Sequence, residues 1–316
     1  MARLPRFKIE GVEAWYHVRG QVAGHKTDRL LQGDGCQQKL IDLIKHYQEV
    51  YFCDASALSV MGTHYHLTIN FAPFKEVSIA TLKKRALILG TSTERQIDNW
   101  SEAQWITFRK RLFNISEFMR NLQSSFARWY NETFDRKGKF WADRFKSSIL
   151  ADSKALLDCM LYIDLNPVRA GMVKRPEDHT GSSIHMRHIK EDEWLVPLEK
   201  LLPVTDTRNV VQNIKKKMLE CYRCRLYYRG NVPSKKEQAK IPDTILDQEL
   251  ANGFKSPGIY LHKLRYFIDG LFIGSQSKIE KLMEKLSQKN DYLQQKMPIS
   301  HAEGEHQSIR PVRNVK

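Results

Sequence analysis

Two histidines separated by one residue follow a predicted turn, and their spacing indicates chemistry. The segment after Gly62-Thr63 is typical of a β-strand, and the side chains of a strand alternate between its two faces. His64 and His66 therefore share one face with Thr68 and Asn70. Two adjacent imidazoles can bind a divalent metal ion between them. The alternative is a chance pair of histidines that faces solvent.

A tyrosine on a later predicted helix is the second candidate for chemistry. Residues 153–165 have the apolar spacing of a helix, and Asp158, Tyr162 and Asn166 recur at i, i+4 and i+8 on its polar side. A phenol oxygen can attack phosphorus if a metal polarises the phosphate. Pro167 disfavours helical backbone at the residue before it, so we expect Asn166 at a bend with its amide turned inward. A tyrosine half-buried against a sheet is the open alternative.

An excess of positive charge favours a polyanionic partner. The 316 residues include 51 Lys and Arg against 36 Asp and Glu, a formal net charge of +15. The excess is concentrated in residues 208–240 and in residues 128–146, where cations alternate with aromatic rings as single-stranded nucleic acid requires. A solvated helix face, or a face that meets a protein partner, is the alternative for each cluster. The residues expected to bind DNA are Arg128, Lys137, Lys139, Trp141, Arg144, Lys146, Arg169, Lys215, Lys216 and Lys217.

The elements that must position these residues follow the order β-α-β-β-α-β. This order predicts an α+β fold, specifically the ferredoxin-like (split βαβ) arrangement with an antiparallel sheet. Residues 73–113 show no clean period. The predicted strands and helices lie at 12–22, 36–49, 50–61, 64–71, 116–133 and 139–150, and the helix at 153–165 follows them.

The remainder of the chain is predicted to be mainly helical, with helices near 207–228, 242–252 and 277–289. Residues after 290 contain few large apolar side chains and no period. We therefore predict three parts: a catalytic domain over 1–185, a basic helical domain over 200–289 and a disordered tail over 290–316.

Several other classes of protein do not fit the sequence. No apolar run approaches the length that crosses a membrane, and the first residues lack the core of a signal peptide. Five cysteines do not form a disulfide framework. Cys221 and Cys224 lack the two further ligands that a zinc site at this spacing needs. We therefore expect a soluble cytoplasmic protein with no membrane partner.

Four motifs occur in fixed order along the chain: residues 14–20 (AWYHVRG), 61–67 (MGTHYHL), 138–147 (GKFWADRFKS) and 162–171 (YIDLNPVRAG). Together they resemble the REP-associated tyrosine transposases, relatives of the single-strand insertion-sequence transposases of the HUH class. The resemblance covers about residues 1–185. The longer segment 73–113 and the basic region after residue 200 depart from compact members, which leaves the mode of DNA docking open.

The resemblance assigns a role to each candidate residue. It implies that His64, His66 and Asn166 bind Mg²⁺ or Mn²⁺ and that Tyr162 is the nucleophile, with Tyr130 as the rival tyrosine. The implied reaction nicks and rejoins single-stranded DNA next to a REP-like hairpin through a 5′-phosphotyrosine link. The implied setting is the bacterial cytoplasm, in association with the nucleoid.

Two other functions and one property stay open at this point. A domesticated relative would bind DNA hairpins without cutting them, and a metal-dependent RNA or nucleotide enzyme on the same scaffold would not need the tyrosine. The chain could act as a monomer or as a dimer.

Overall fold

The computed structural model describes most of the chain, and the α+β class is confirmed. The described residues are 13–25, 27–33, 35–201, 214–233, 238–254, 272–287, 299–300 and 307–309. Among them, no helix is both long and apolar enough to cross a membrane.

Four antiparallel strands form the part of the sheet that positions the histidines. The middle strands pair with each other, and the order across the sheet is β2-β3-β1-β4. The strands are β1 (Ala14–Gln21), β2 (Cys53–Val60), β3 (His64–Phe71) and β4 (Lys146–Leu150). The predicted strand over 139–150 is therefore shorter than expected, and Trp141 makes only an isolated bridge with Val22.

Two helices cover the apolar face of this sheet. They are α1 (Cys36–Val50), between β1 and β2, and α5 (Ile115–Thr133), which precedes β4. The alternation predicted for β3 places Tyr65, Leu67 and Phe71 in one core with both helices. The rings of Phe71 and Phe118 meet edge-on at 5.9 Å between centroids.

Residues 73–113 form three short helices instead of one periodic element. They are α2 (Ile79–Leu89), α3 (Glu94–Asp98) and α4 (Glu102–Leu112). Thr93 with Gln96 and Ser101 with Gln104 form capping boxes at the starts of α3 and α4. Each helix buries at most two side chains and so shows no apolar stripe, which leaves the capping residues as the local signal that the sequence offers.

The polar face of the sheet is covered by helix α6 (Ser153–Arg169). Asp152 caps its start by accepting a hydrogen bond from the Ala155 backbone N–H. The predicted end at residue 165 is wrong, because the helix continues through Pro167. A proline so near the end removes only one helical hydrogen bond, and buried packing of Leu165 and Val168 holds the last turn.

The region after residue 200 contributes helices and strands. The helices are α9 (Ile214–Asn231), α10 (Asp243–Ala251) and α11 (Gln276–Ser287), which follow two short helices, α7 (Ser183–His188) and α8 (Leu198–Leu201). Strand β5 (Phe272–Gly274) pairs in parallel with β4, and β7 (Gln307–Ile309) and β6 (Ile299–Ser300) extend the sheet beyond it.

The packing of the C-terminal region on α6 bears on the predicted division into domains. Tyr222, Leu226 and Tyr227 of α9 share a core with α6, so the C-terminal helices pack directly on the site-bearing part of the chain. The segment 290–316, predicted to be disordered, contributes the five residues of β6 and β7, and the rest of it lies outside the described residues. The domain boundaries themselves stay predictions.

A buried carboxyl group joins α6 to these later helices. Asp164 is 1% exposed and accepts hydrogen bonds from the Ser183 hydroxyl (2.6 Å), the Ile184 backbone N–H (3.0 Å) and the Tyr222 hydroxyl (2.7 Å). Burial raises the pKa of Asp164 to about 6, against the lowering effect of these hydrogen bonds. The folded pKa exceeds the unfolded one, so the contribution of Asp164 to stability declines as the pH rises through 6.

We expect Tyr222→Phe to lower the free energy of unfolding by about 1.5 to 3 kcal/mol at pH 8, where the hydrogen bond reaches a charged carboxylate. The loss should be smaller at pH 5, where Asp164 is protonated. Urea denaturation at the two pH values measures both. Tyr228→Phe is the matched control, because Tyr228 is a half-buried tyrosine of α9 with no hydrogen bond among the described residues. Equal losses at both pH values would contradict the assignment.

Candidate active site

The hairpin between β2 and β3 brings both histidines of the predicted pair to one face. The Met61 backbone N–H donates to the His64 carbonyl (2.8 Å) and closes the turn at Gly62-Thr63. The imidazoles of His64 and His66 lie 5.0 Å apart between ring centroids. His64 is half-buried, and His66 is only 2% exposed because α6 covers this face. The alternative in which the pair merely faces solvent is therefore wrong for His66.

A third histidine joins this pair from the neighbouring strand. Nε2 of His17 lies 2.9 Å from Nδ1 of His66, and the two rings stack at 5.1 Å. His17 lies within the first motif, but the alternation of side chains along β1 does not show which residue of a neighbouring strand His17 contacts. The pairing of β1 with β3 brings the two residues together.

The candidate nucleophile lies over these rings. Tyr162 projects from α6, and its ring centroid is 5.6 Å from that of His66 and 6.1 Å from that of His17. Tyr162 is half-buried and packs against the core beneath α6. The structure thus brings Tyr162 of α6 to the histidine pair of β3, which lies 96 or more positions earlier in the chain.

Asn166 does not lie at a bend, which corrects the expectation drawn from Pro167. It remains within α6, and its Nδ2 donates to the Tyr162 carbonyl at 2.9 Å. Its side-chain Oδ1 accepts no hydrogen bond from the described part of the chain, whereas its backbone carbonyl accepts one from the Ala170 N–H (2.9 Å). The role of Asn166 as a metal ligand stays a prediction.

Burial keeps the imidazoles of His64 and His66 neutral near pH 7. Loss of solvent is the main cause that lowers the pKa of His64 to about 4, and the positive charge of Arg19 lowers it further. The pKa of His66 is lowered by burial, then by His17, His64 and Arg19. Neutral imidazoles keep a lone pair that can bind a metal.

The hydrogen bonds of the histidines fit a metal-binding role. Nδ1 of His64 lies 3.1 Å from Thr63 Oγ1, and Nδ1 of His66 is bonded to His17. Each ring thus keeps Nε2 for a ligand, and metal-binding histidines usually have their other nitrogen fixed in this way. Within the described ranges, no group of three or more His, Cys, Asp or Glu side chains could hold a metal. A third ligand would have to come from an amide such as Asn166 or from the substrate.

The rival tyrosine lies elsewhere. Tyr130 is 8% exposed and belongs to the core on the opposite face of the sheet. Its ring packs 4.5 Å from those of Phe134 and Phe140, and burial raises its pKa.

The predicted DNA-binding residues divide by burial. Trp141 is a correction, because it is 7% exposed and its indole N–H donates to the Gln123 carbonyl (2.8 Å). A ring fixed in the core cannot stack on a base. Arg169 is half-buried and donates to the Arg229 carbonyl (2.7 Å), and burial followed by the charge of Arg229 lowers its pKa to about 10. Within residues 128–146, the predicted DNA-binding cations are all exposed: Arg128, Lys137, Lys139, Arg144 and Lys146.

Only part of the basic segment 208–240 faces outward. Arg223 pairs with Glu177 at 2.6 Å, and Arg229 pairs with Asp158 at 2.7 Å, both at largely buried positions. Lys215 pairs with Glu193 at the surface. Lys216 and Lys217 are exposed and form no ion pair with the described residues. Arg208, Lys235 and Lys236 lie outside the described residues.

Comparison with solved structures finds a similarity at low sequence identity. The chain is 17% identical, with a TM-score of 0.41, to a solved structure of a REP-associated tyrosine transposase bound to a REP hairpin, over 68% of this chain and 96% of that one. A likeness of this extent does not establish the fold or the function. No family model matches the chain, and no curated protein matches it.

The environment of His64 can be tested by titration. We expect its imidazole to titrate near pH 4 in NMR spectra, and Arg19→Gln to raise this pKa while burial keeps it below 6.5. Because the folded pKa is below the unfolded one, His64 makes stability fall as the pH drops from about 6.5 towards 4. Arg120→Gln, on the opposite side of the sheet, is the control and should leave the titration unchanged. A midpoint near 6.5 in the native chain would contradict the assignment.

Proposed function

We propose that the chain is a metal-dependent single-strand DNA endonuclease and strand transferase of the REP-associated tyrosine transposase family. Its substrate is hairpin DNA of the REP-like type, and its intermediate is a covalent 5′-phosphotyrosine on Tyr162. The observation that carries the proposal is the approach of the Tyr162 ring to His66 and His17 at the polar face of the sheet.

The topology supports the finer assignment of the fold. Strand order β2-β3-β1-β4, all antiparallel, with α1 and α5 in the two crossover positions, is compatible with the ferredoxin-like arrangement. The three helices of residues 73–113 are an insertion between β3 and α5 in this scheme. The remaining strands, β5 to β7, extend the sheet beyond β4.

The chain's own residues supply most of the proposed chemistry. The Tyr162 hydroxyl oxygen forms a bond to phosphorus, the bond from phosphorus to the 3′ oxygen breaks, and a 3′-hydroxyl leaves. The link stores the energy of the phosphodiester, so attack by another 3′-hydroxyl rejoins strands without a nucleotide cofactor. Mg²⁺ or Mn²⁺ bound by His64, His66 and Asn166 would polarise the scissile phosphate.

His17 positions the ligand histidine in this proposal. If Nε2 of His66 offers its lone pair, Nδ1 of His66 carries the proton and donates to Nε2 of His17. His17 therefore fixes both the tautomer and the rotation of His66. Thr63 holds the ring of His64 from the turn, with a hydroxyl that can donate to or accept from Nδ1.

The burial of Tyr130 supports Tyr162 as the nucleophile. We expect Tyr162→Phe to abolish a denaturant-resistant protein–DNA adduct with labelled hairpin DNA and Mn²⁺, with little change in hairpin affinity. Tyr130→Phe is the matched control and should retain adduct formation. His64→Ala should also abolish the adduct, and it suits the test better than His66→Ala because His66 is buried and its loss would lower stability.

Two results would overturn this proposal. Tight hairpin binding by the native chain with no adduct would favour the non-cleaving binding module. Cleavage that persists in Tyr162→Phe would favour a nuclease that uses water, such as the metal-dependent RNA or nucleotide enzyme.

The outward cations of α9 are proposed to contact DNA phosphates. Each neutralised phosphate contributes about 0.7 to the slope of log K against log salt for single strands, or about 0.9 for duplex. Lys215→Gln, Lys216→Gln and Lys217→Gln together should flatten the slope by roughly two to three units if all three make contacts. Because Lys215 pairs with Glu193, the double variant at Lys216 and Lys217 should retain most of that effect.

The salt dependence is measured by fluorescence anisotropy with cognate-like and scrambled hairpins. Both should weaken alike, because phosphate contacts do not read bases. Lys83→Gln is the control, since Lys83 is held by Glu94 and Asp98. An unchanged slope in the triple variant would show that this face of α9 meets solvent or a protein.

A further inference from the structure

Arg19 occupies the strand position beside the candidate site. In the sheet register it pairs with His66 on β3 and with Lys146 on β4. Directly paired residues of antiparallel strands project to the same face. Lys146, Arg19 and His66 therefore form one line across three strands, from an exposed lysine to the buried histidine next to Tyr162.

The guanidinium of Arg19 has no hydrogen-bond acceptor among the described residues. Its Nε is buried without a hydrogen-bond partner, and Arg19 makes no ion pair within the described part of the chain. Other arginines with an unpartnered nitrogen are satisfied through their remaining groups: Arg109 by Glu76, Arg223 by Glu177 and Arg169 by the Arg229 carbonyl. Arg136 also has an unpartnered nitrogen, and its guanidinium lies against the rings of Tyr130 and Phe140.

The surroundings of Arg19 do not neutralise its charge. Its positive charge acts on both His64 and His66, and burial keeps these imidazoles uncharged near pH 7. Lys146, on its other side, adds a second cation. A half-buried guanidinium with a free N–H and no carboxylate partner requires an anion, and its planar fork matches the oxygens of a phosphate.

We propose that Arg19 binds a non-bridging oxygen of the phosphodiester that Tyr162 attacks, with Lys146 holding the adjacent backbone phosphate on the β4 side. This assignment rests on the proposed function, and it adds a substrate-contacting residue on β1. The line from Lys146 to His66 gives the DNA strand a direction of entry, from the β4 side of the site towards β3. Arg19 would stabilise the charge that develops on the phosphate oxygens during the attack.

The binding test uses the full chain with Tyr162→Phe, so that no cleavage occurs. The probe is a DNA hairpin with single-stranded flanks, prepared as a series in which one flank phosphate at a time is replaced by a neutral methylphosphonate. Adding Arg19→Gln should weaken binding of the unmodified probe about 10-fold or more. A methylphosphonate at one position should weaken binding to the Tyr162→Phe chain by a similar factor. The same methylphosphonate should not weaken binding further in the chain that also carries Arg19→Gln. At the other positions, the effect of the methylphosphonate and the effect of Arg19→Gln on the binding free energy should add.

The reaction test uses chains that retain Tyr162. Arg19→Gln should slow adduct formation about 10²-fold or more, and Arg19→Lys should fall between Gln and the native residue, because it keeps the charge and loses the fork. Arg120→Gln is the matched control: it removes one positive charge from an exposed position on α5, across the sheet. It should change neither binding nor adduct formation.

Thermal unfolding separates a contact with substrate from a structural role. Arg19→Gln should melt no lower than the native chain, because the buried Nε has no partner to lose. A clear drop in melting temperature together with the lost activity would overturn the proposal. Equal behaviour of Arg19→Gln and Arg120→Gln, or methylphosphonate effects that are additive at every position, would also overturn it. If the native chain forms no adduct, the proposed function fails, and the methylphosphonate series still decides the role of Arg19.

Discussion

The burial of a polar sheet face beneath one helix is the constraint from which the site follows. Polar groups removed from water must find partners within the protein, and this face supplies them pairwise. His17 bonds to His66, and Ser56 bonds to Thr68 at 2.7 Å. The same loss of water holds the imidazoles neutral and brings the Tyr162 ring against them. A solvent-exposed version of this face would have protonatable histidines and no fixed position for the tyrosine.

The helix over that face is held near both of its own ends. Asp152 caps its start, and Asp164 ties it to α7 and α9 through hydrogen bonds with Ser183 and Tyr222. Asp158, one turn before Tyr162, pairs with Arg229 of α9. The C-terminal region therefore supports the position of the candidate nucleophile, in addition to any contact that it makes with DNA.

The same packing divides the basic residues into two groups with different physical roles. Arg223 and Arg229 face inward and compensate buried carboxylates, whereas Lys216 and Lys217 extend into solvent. Charge counted along the sequence merges these groups, because a helix with cations on every side gives no sign of which ones have acidic partners far away in the chain. Around the histidines the positive charge is not compensated, because Arg19 and Lys146 lie side by side and no described carboxylate pairs with Arg19.

The sequence by itself determined the elements and the alternation within them. Period-two alternation in β3 placed His64 and His66 on one face, and the helical spacing after residue 153 placed Tyr162 on the polar side of its helix, because both periods are properties of local backbone geometry. Local rules also failed in identifiable places. Pro167 stays helical because tertiary packing outweighs its preference, Trp141 is buried although its neighbours are basic and exposed, and α3 and α4 bury too few side chains to show a period. The tertiary structure alone decided the register of β1 on β3, which brings His17 and Arg19 to His66, and the placement of α6 over them. Strand register and helix placement depend on contacts between residues far apart in the chain, and no local pattern encodes those contacts.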